Sequence, residues 1–404
     1  MKQSIEISRK VKCSYCGDAK LNHNLLYLEN LITGSVESRM VNLNKYAPSF
    51  LKNFASLVPV ILFRILAVFN IVHFSNDIDK AKSFRSKVIW EEAQKRGITM
   101  EQIILGKKPL DWYRAIIDNK YIYFESIPIQ PEYLDFKKDW DNKIVLKEEL
   151  SKYSIPIPLY KKISFPRFKN LNKVFSKFKT PVIIKPQIGS RARHTITSIA
   201  TVKDFKEGIA ISNQISPYLV VEEHLIGHVC RATLVGGVLA GFYKGELPFV
   251  IGDGKKTIFE LIKEKDSKRI DRYHIRVVDE LHHHISRLGY TIDDILPGGL
   301  YLPLSHRTGQ LFGGMTIEMI DELHPSFIPI LEKASKVIGL SVVGFDCIIP
   351  DPTQDESTQQ WGIIECNTLP FINMHYFALE GKPRNIAGMI WDLWNEPNGP
   401  EPVQ

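Results

Sequence analysis

The chain has 404 residues, 44% of them hydrophobic and 24% charged, with a net charge of +7. That length supports two or three domains with real cores, and the composition excludes a disordered or fibrous chain. The mild positive excess suits an anionic ligand such as a nucleotide and is too diffuse for a nucleic-acid binder. Five cysteines without a framework spacing point to a reducing, cytoplasmic setting.

The first residues, "MKQSIEISRKVKCSYCGD", are partly basic but lead into no apolar h-region, so no signal peptide is expected. Cys13 and Cys16 form a Cys-x-x-Cys-Gly knuckle, one half of a zinc site, with His23 close behind. No second knuckle follows, so two free surface thiols are expected. Zinc shared with His23 and another group, or across a homo-oligomer, is the alternative. The segment 57–74 is strongly apolar but short for a membrane span. Its Arg64 would cost about 2.5–3.5 kcal/mol near a bilayer centre. A buried helix is expected there, with peripheral membrane contact the less favoured reading.

Ser75 or Asn76 can cap a following helix that Gly97 ends. "ITMEQIILG" and "KYIYFESIP" read as strands. The expected layout is an N-terminal, partly helical region (1–84), a small α/β unit (85–138), a main domain (139–395) and a tail (396–404). A helix is expected from Lys143 to Tyr153.

Two apolar runs near the end, "LSVVGFDCII" and "WGIIECNTLP", flank a polar, proline-rich loop and read as an antiparallel pair. Glu365 and Asn367, two residues apart, share one strand face. Asp346 can lie beside Glu365. Two carboxylates and an amide offer only oxygen, which suits Mg²⁺ better than zinc or copper. The plain alternative is a polar strand end on a half-exposed sheet. Cys230, Cys347 and Cys366 sit in apolar runs and read as small core residues.

Five pieces occur in order: "TPVIIKPQIGS", "YLVVEEHLIGHVCRATLVGG", "VIGDGKKTIFELI", "VVGFDCII" and "GIIECNTLPFINMHYFALEGKPRNIAGMIWDL". Together they resemble an ATP-grasp ligase, over roughly Asp139 to Trp394. Within that family the pieces resemble the ATP-grasp module of cyanophycin synthetase and of bifunctional glutathione synthetase. The resemblance implies a mixed α/β (α+β) ATP-grasp fold with a lid subdomain at about 160–222, preceded by a pre-ATP-grasp region. It implies an ATP- and Mg²⁺-dependent ligase that joins a small carboxylate to an amine through an acyl phosphate. Asp346, Glu365 and Asn367 match the family's metal ligands. Lys143, Lys185, Glu222 and Glu223 match its ATP-binding residues, and Gly189, Ser190, Arg191 and Arg193 fall in its lid loop. Arg231, Arg307 and Arg384 match catalytic arginines. His375 and Arg384 lie toward the substrate end.

The lid departs from the pattern. Family lids are glycine-rich because backbone amides must approach the phosphates. Here the loop reads "GSRARHT", with one glycine and with Arg191, Arg193 and His194. Either the arginines bind phosphate or catalysis has decayed with the loop. Val229 stands where relatives often have an aspartate near the ribose. Neither the second domain of a cyanophycin synthetase nor, before residue 135, a glutamate–cysteine ligase is expected. A ligase acting on an amino acid, a peptide or a small carboxylate is therefore expected. The alternatives are a catalytically silent ATP-grasp protein that binds nucleotide or a partner, and a ligase that modifies a protein.

Overall fold

The computed structural model describes residues 13–16, 21–44, 60–130, 139–164, 170–189, 193–269, 274–305 and 313–394. In chain order the first elements are helices α1 (His23–Asn44) and α2 (60–68), strand β1 (Val72–Ser75), helix α3 (Phe84–Lys95) and strands β2 (Met100–Leu105), β3 (Lys108–Ile117) and β4 (Lys120–Glu125). Next come α4 (Lys143–Lys152), β5 (Tyr160–Ser164), α5 (Leu171–Phe175), β6 (Val182–Pro186), β7 (Ile196–Ile199), α6 (Val202–Ser212), β8 (Tyr218–Glu223), β9 (His228–Val235), β10 (Val238–Glu246) and β11 (Phe249–Ile251). The remainder are α7 (Ile258–Asp266), α8 (Asp279–Arg287), β12 (Tyr301–Pro303), β13 (Met315–Glu318), α9 (Phe327–Ile338), β14 (Val342–Ile349), β15 (Gly362–Asn367), α10 (Asn373–Tyr376) and α11 (Ile386–Asp392).

These elements form two compact units. The first comprises residues up to Arg39, Pro158–His224 and Val277–Ile292. Its centre is an antiparallel sheet in the order β5-β8-β6-β7. The Thr201 hydroxyl accepts the Asp204 amide at 3.2 Å and starts α6. Phe205 and Ile209, one helical turn apart, then face the sheet and join Phe175, Val182, Ile184 and Val221 in one core.

The second unit comprises 40–157, 225–276 and 293–404. Its main sheet is antiparallel, in the order β13-β10-β9-β14-β15. Strand alternation divides the two faces. One carries Cys230, Ala232, Leu234, Phe345, Cys347 and Cys366, buried with Leu146 of α4 and Leu331 of α9. The expectation that Cys230, Cys347 and Cys366 are core residues is met. On the other face β9 presents Val235, Thr233 and Arg231 in turn, and β14 presents Val342, Gly344 and Asp346, each paired across the ladder. The apolar end, Val235 and Val342, packs with Ile386, Ile390 and Trp391. The polar end stays half open.

A second sheet, β1-β2-β3-β4, packs with α3 through Trp90, Tyr113 and Phe124. Here three expectations change. The small α/β unit starts before 85, because β1 pairs with β2 from Val72↔Leu105 onward. Its central strand β3 went unread between the two strands expected. The helix is capped by Ser83, which accepts the Ser86 amide at 3.2 Å, rather than by Ser75 or Asn76. Residues 57–59 of the apolar segment lie outside the described residues, and the rest of it is not a buried helix. Residues 60–68 are helical, but only Phe63 is buried, against Trp112 at 5.3 Å between ring centres. Ile61, Leu62, Ile65 and Val68 are exposed. Among the described residues no helix is long and apolar enough to cross a membrane.

Candidate functional site

The polar end of the main sheet gathers the residues expected to hold a metal. Asp346 and Glu365 are direct partners across β14 and β15, and Asn367 pairs with Gly344. The Asn367 amide donates to Asp346 Oδ2 at 3.3 Å. Arg231, opposite Asp346 on β9, grips its carboxylate with both Nε and Nη2, the latter at 2.9 Å. Burial alone would lower the Arg231 guanidinium's affinity for its proton; the Asp346 charge and hydrogen bonds, with the Tyr243 and Glu365 charges, together outweigh that and push it up. Burial also pushes the Tyr243 hydroxyl, paired with Arg231 across β10, up to about 12.

Lys143 opens α4, whose start Asn142 caps by accepting the Ile144 amide at 3.0 Å. Its ammonium lies 3.5 Å from Glu365 Oε1. Each carboxylate of the oxygen cluster therefore faces a cation. Sequence reasoning missed Lys147, one turn further on. The ladder skips Ile364, because Asp346 pairs with Glu365 and Cys347 with Ile363. The fully buried Lys147 donates to the bulged Ile364 carbonyl at 3.0 Å. Its spacing of one turn from Lys143 was the only signal. Asp141 was missed as well. It holds the exit of β15 by accepting from the Thr368 hydroxyl at 2.9 Å.

His375 is placed differently from the expected substrate contact. Its ring is fully buried, 2.5 Å from Glu318 Oε2 at Nδ1 and 2.8 Å from the Thr233 hydroxyl at Nε2. Both ring nitrogens are engaged and the ring has no exposed edge. A Cβ at residue 241 would sit 2.6 Å from its Nδ1, so the glycine there makes room for the ring. Arg384 stays partly exposed. Its amide donates to the His375 carbonyl at 3.1 Å and its guanidinium lies 3.8 Å from Asp321. Arg307 lies outside the described residues.

In the first unit Lys185, the last residue but one of β6, meets the buried Glu222 of β8 at 2.9 Å. Register explains the pair. Ile183 lies opposite Glu222, so Lys185 and Glu222 share a face as diagonal neighbours. Glu223 points the other way and accepts the Leu159 amide at 3.3 Å. Gly189 has φ +151°, a backbone that side chains rarely adopt. Ser190 and Arg191 lie outside the described residues. Arg193 is described, and its charge acts on the Cys16 thiol.

Cys13 and Cys16 form no disulfide, as expected, but Cys16 is buried and Cys13 half-buried rather than both lying on the surface. Their Sγ atoms, His23 and His194 form one cluster whose four ligand atoms all lie within 4.8 Å of one another. His194 belongs to the loop read at the sequence level only as added charge.

No family model matches the chain. In sequence it is similar to cyanophycin synthetase of Trichormus variabilis, 29% identical over 233 residues that cover 55% of this chain and 26% of that protein. It is also similar to the glutathione biosynthesis bifunctional protein of Mannheimia succiniciproducens, 26% identical over 268 residues, covering 62% of this chain and 35% of that protein. The chain thus spans between a quarter and about a third of the length of these relatives. The crystal structure of a bifunctional glutathione synthetase from Pasteurella multocida matches 78% of this chain and 44% of its own, with a TM-score of 0.56 at 21% identity. The resemblance read from the motifs is borne out, and the mixed α/β fold is the ATP-grasp fold expected from them.

Proposed function

We propose that this ATP-grasp chain is an ATP- and Mg²⁺-dependent carboxylate–amine ligase that forms an amide through an acyl phosphate. Its substrates are ATP, an amino acid, peptide or small carboxylate, and an amine, in a reducing cytoplasm. One observation carries the reading: Asp346 and Glu365 are cross-strand partners, with Asn367 bonded to Asp346 on the same face. Three oxygen-bearing side chains on two rigid strands suit a hard cation better than a random polar edge does. Mg²⁺ bound by them would neutralise the charge of the ATP phosphates during transfer.

The chain's own residues do the rest. Arg231 holds Asp346 in one orientation through two hydrogen bonds, so the ligand oxygens are preorganised. Lys143 balances Glu365 and is placed to exchange that contact for a phosphate. Lys185 and Glu222, with Glu223, are assigned to the nucleotide in the first unit. Arg384, partly exposed and anchored through its amide, is the group that can clamp a carboxylate or acyl phosphate.

The test is a screen of amino acids and dipeptides for substrate-dependent ADP formation, with hydroxylamine present to trap the acyl phosphate as a hydroxamate. ADP and hydroxamate appearing together with one substrate class support the reading. Nucleotide binding without turnover on any substrate overturns it in favour of a silent binder.

A further inference from the structure

The cysteine–histidine cluster of the first unit has no part in the ligase reading and stands on its own geometry. Cys16 Sγ lies 3.1 Å from His23 Nε2 and 3.3 Å from His194 Nε2, and Cys13 Sγ lies 3.6 Å from the same His194 nitrogen. For a tetrahedral zinc with bonds of about 2.3 Å to sulfur and 2.0–2.1 Å to nitrogen, the sulfur–nitrogen edge is about 3.5 Å. The three measured edges bracket that value.

Two further features orient the ligands. His194 Nδ1 lies 2.8 Å from the Ile211 carbonyl, which can only accept, so Nδ1 carries the proton. That leaves the Nε2 lone pair aimed at the two sulfurs, the arrangement in which a metal-binding histidine is held by a backbone partner. The Cys13–Cys16 turn closes through the Cys16 amide and the Cys13 carbonyl at 3.1 Å. The Tyr15 carbonyl then accepts the His194 amide at 3.1 Å. His194 itself has φ +50°, and the Ser212 hydroxyl donates to its carbonyl at 2.7 Å. Asn22 caps α1 by accepting the Leu25 amide at 3.2 Å, which positions His23.

We propose that Cys13, Cys16, His23 and His194 bind one zinc ion, which staples the N-terminal knuckle to the loop between β6 and β7. Two thiolates and two neutral imidazoles balance the ion's charge, and the two thiols release their protons on binding. Four protein ligands leave no open position, so the site is structural and takes no substrate. The knuckle needs such a link. Among the residues up to 33 whose burial is described, Cys16 is the one buried hydrophobic side chain, while Leu25, Leu28 and Ile32 of α1 are exposed. Apolar burial holds this segment only weakly, and metal binding can replace it.

The experiment is elemental analysis of the full chain purified without chelators, followed by cobalt substitution. One zinc per chain is expected, and the cobalt form should show the intense visible absorption of a tetrahedral thiolate site. His194→Asn should lose the metal or bind it at least tenfold more weakly, whereas His282→Asn, at an exposed position of helix α8, should keep it. If Cys16→Ser fails to fold, His194→Asn and the cobalt spectrum of the unaltered chain still decide. Absence of stoichiometric metal after reconstitution with zinc overturns the proposal. So does a mass lower by two hydrogens that marks a Cys13–Cys16 disulfide. Full zinc retention in His194→Asn overturns the staple. Each readout is independent of ligase activity, so failure here and failure of the ligase assay are distinguishable.

Discussion

Glu365 and Gly241 show how much rests on single positions of the main sheet. Glu365→Gln keeps the shape and removes the charge. Under the ligase reading it should cut ADP formation by at least a hundredfold, leaving the unfolding midpoint within a degree or two. Wild-type turnover at limiting Mg²⁺ would reject the ligand assignment. Gly241 has a different role. Adding one methyl group would force His375 off Glu318, because the new Cβ would lie 2.6 Å from Nδ1. Gly241→Ala should therefore cost about 1–3 kcal/mol. A urea titration reads this as a lower midpoint at unchanged slope.

Helix α7 carries a prediction of its own. The Thr257 hydroxyl accepts the Glu260 amide at 3.2 Å, and Glu260 accepts the Thr257 amide at 2.8 Å, so a capping box starts the helix. At its other end Lys265 donates to the Phe249 carbonyl of β11 at 2.7 Å and lies over the Phe249 ring. Burial, and then the nearby Arg269 charge, bring the Lys265 ammonium from 10.5 down to about 8. Below pH 8 the lysine is charged in both states, and the folded state carries the full cost of keeping it so. Between about 8 and 10.5 the unfolded chain binds more protons, so stability rises with pH until the gain is complete. Lys265→Met removes this contribution. The stability of the unaltered chain relative to Lys265→Met should therefore rise from neutral pH to 10.5, and a flat difference in paired denaturant titrations would contradict the burial of this lysine.

For the whole molecule, the division into two units separates two sources of stability. The second unit has apolar cores on both faces of its main sheet. The first has the core around Phe205 and Val221 and, under the zinc proposal, a staple. A tight chelator should lower the unfolding of the first unit alone. At about 4 °C or more per kcal/mol for a domain of this size, a loss of only a few kcal/mol shifts its midpoint by about 10 °C. Calorimetry with and without chelator checks this. An equal shift of all transitions would show that the metal supports something other than the knuckle and loop.

The sequence by itself determined the fold class and the oxygen cluster. Ordered motifs identified the ATP-grasp fold, and the two-residue period of a strand put Glu365 and Asn367 on one face before any coordinates were known. That information is local, because spacing along one strand settles which side chains are neighbours on it. Tertiary structure alone decided what each side chain meets. Arg231 on Asp346, Lys147 on the Ile364 bulge and the burial of His375 depend on the register between distant strands, which no local pattern encodes. The apolar 57–74 segment read as core because hydrophobicity specifies a preference for burial without supplying a partner. The cysteine knuckle read as half a site for the same reason. The fourth member of the cluster, His194, is 178 residues from Cys16 in sequence, and only the folded chain brings them to 3.3 Å.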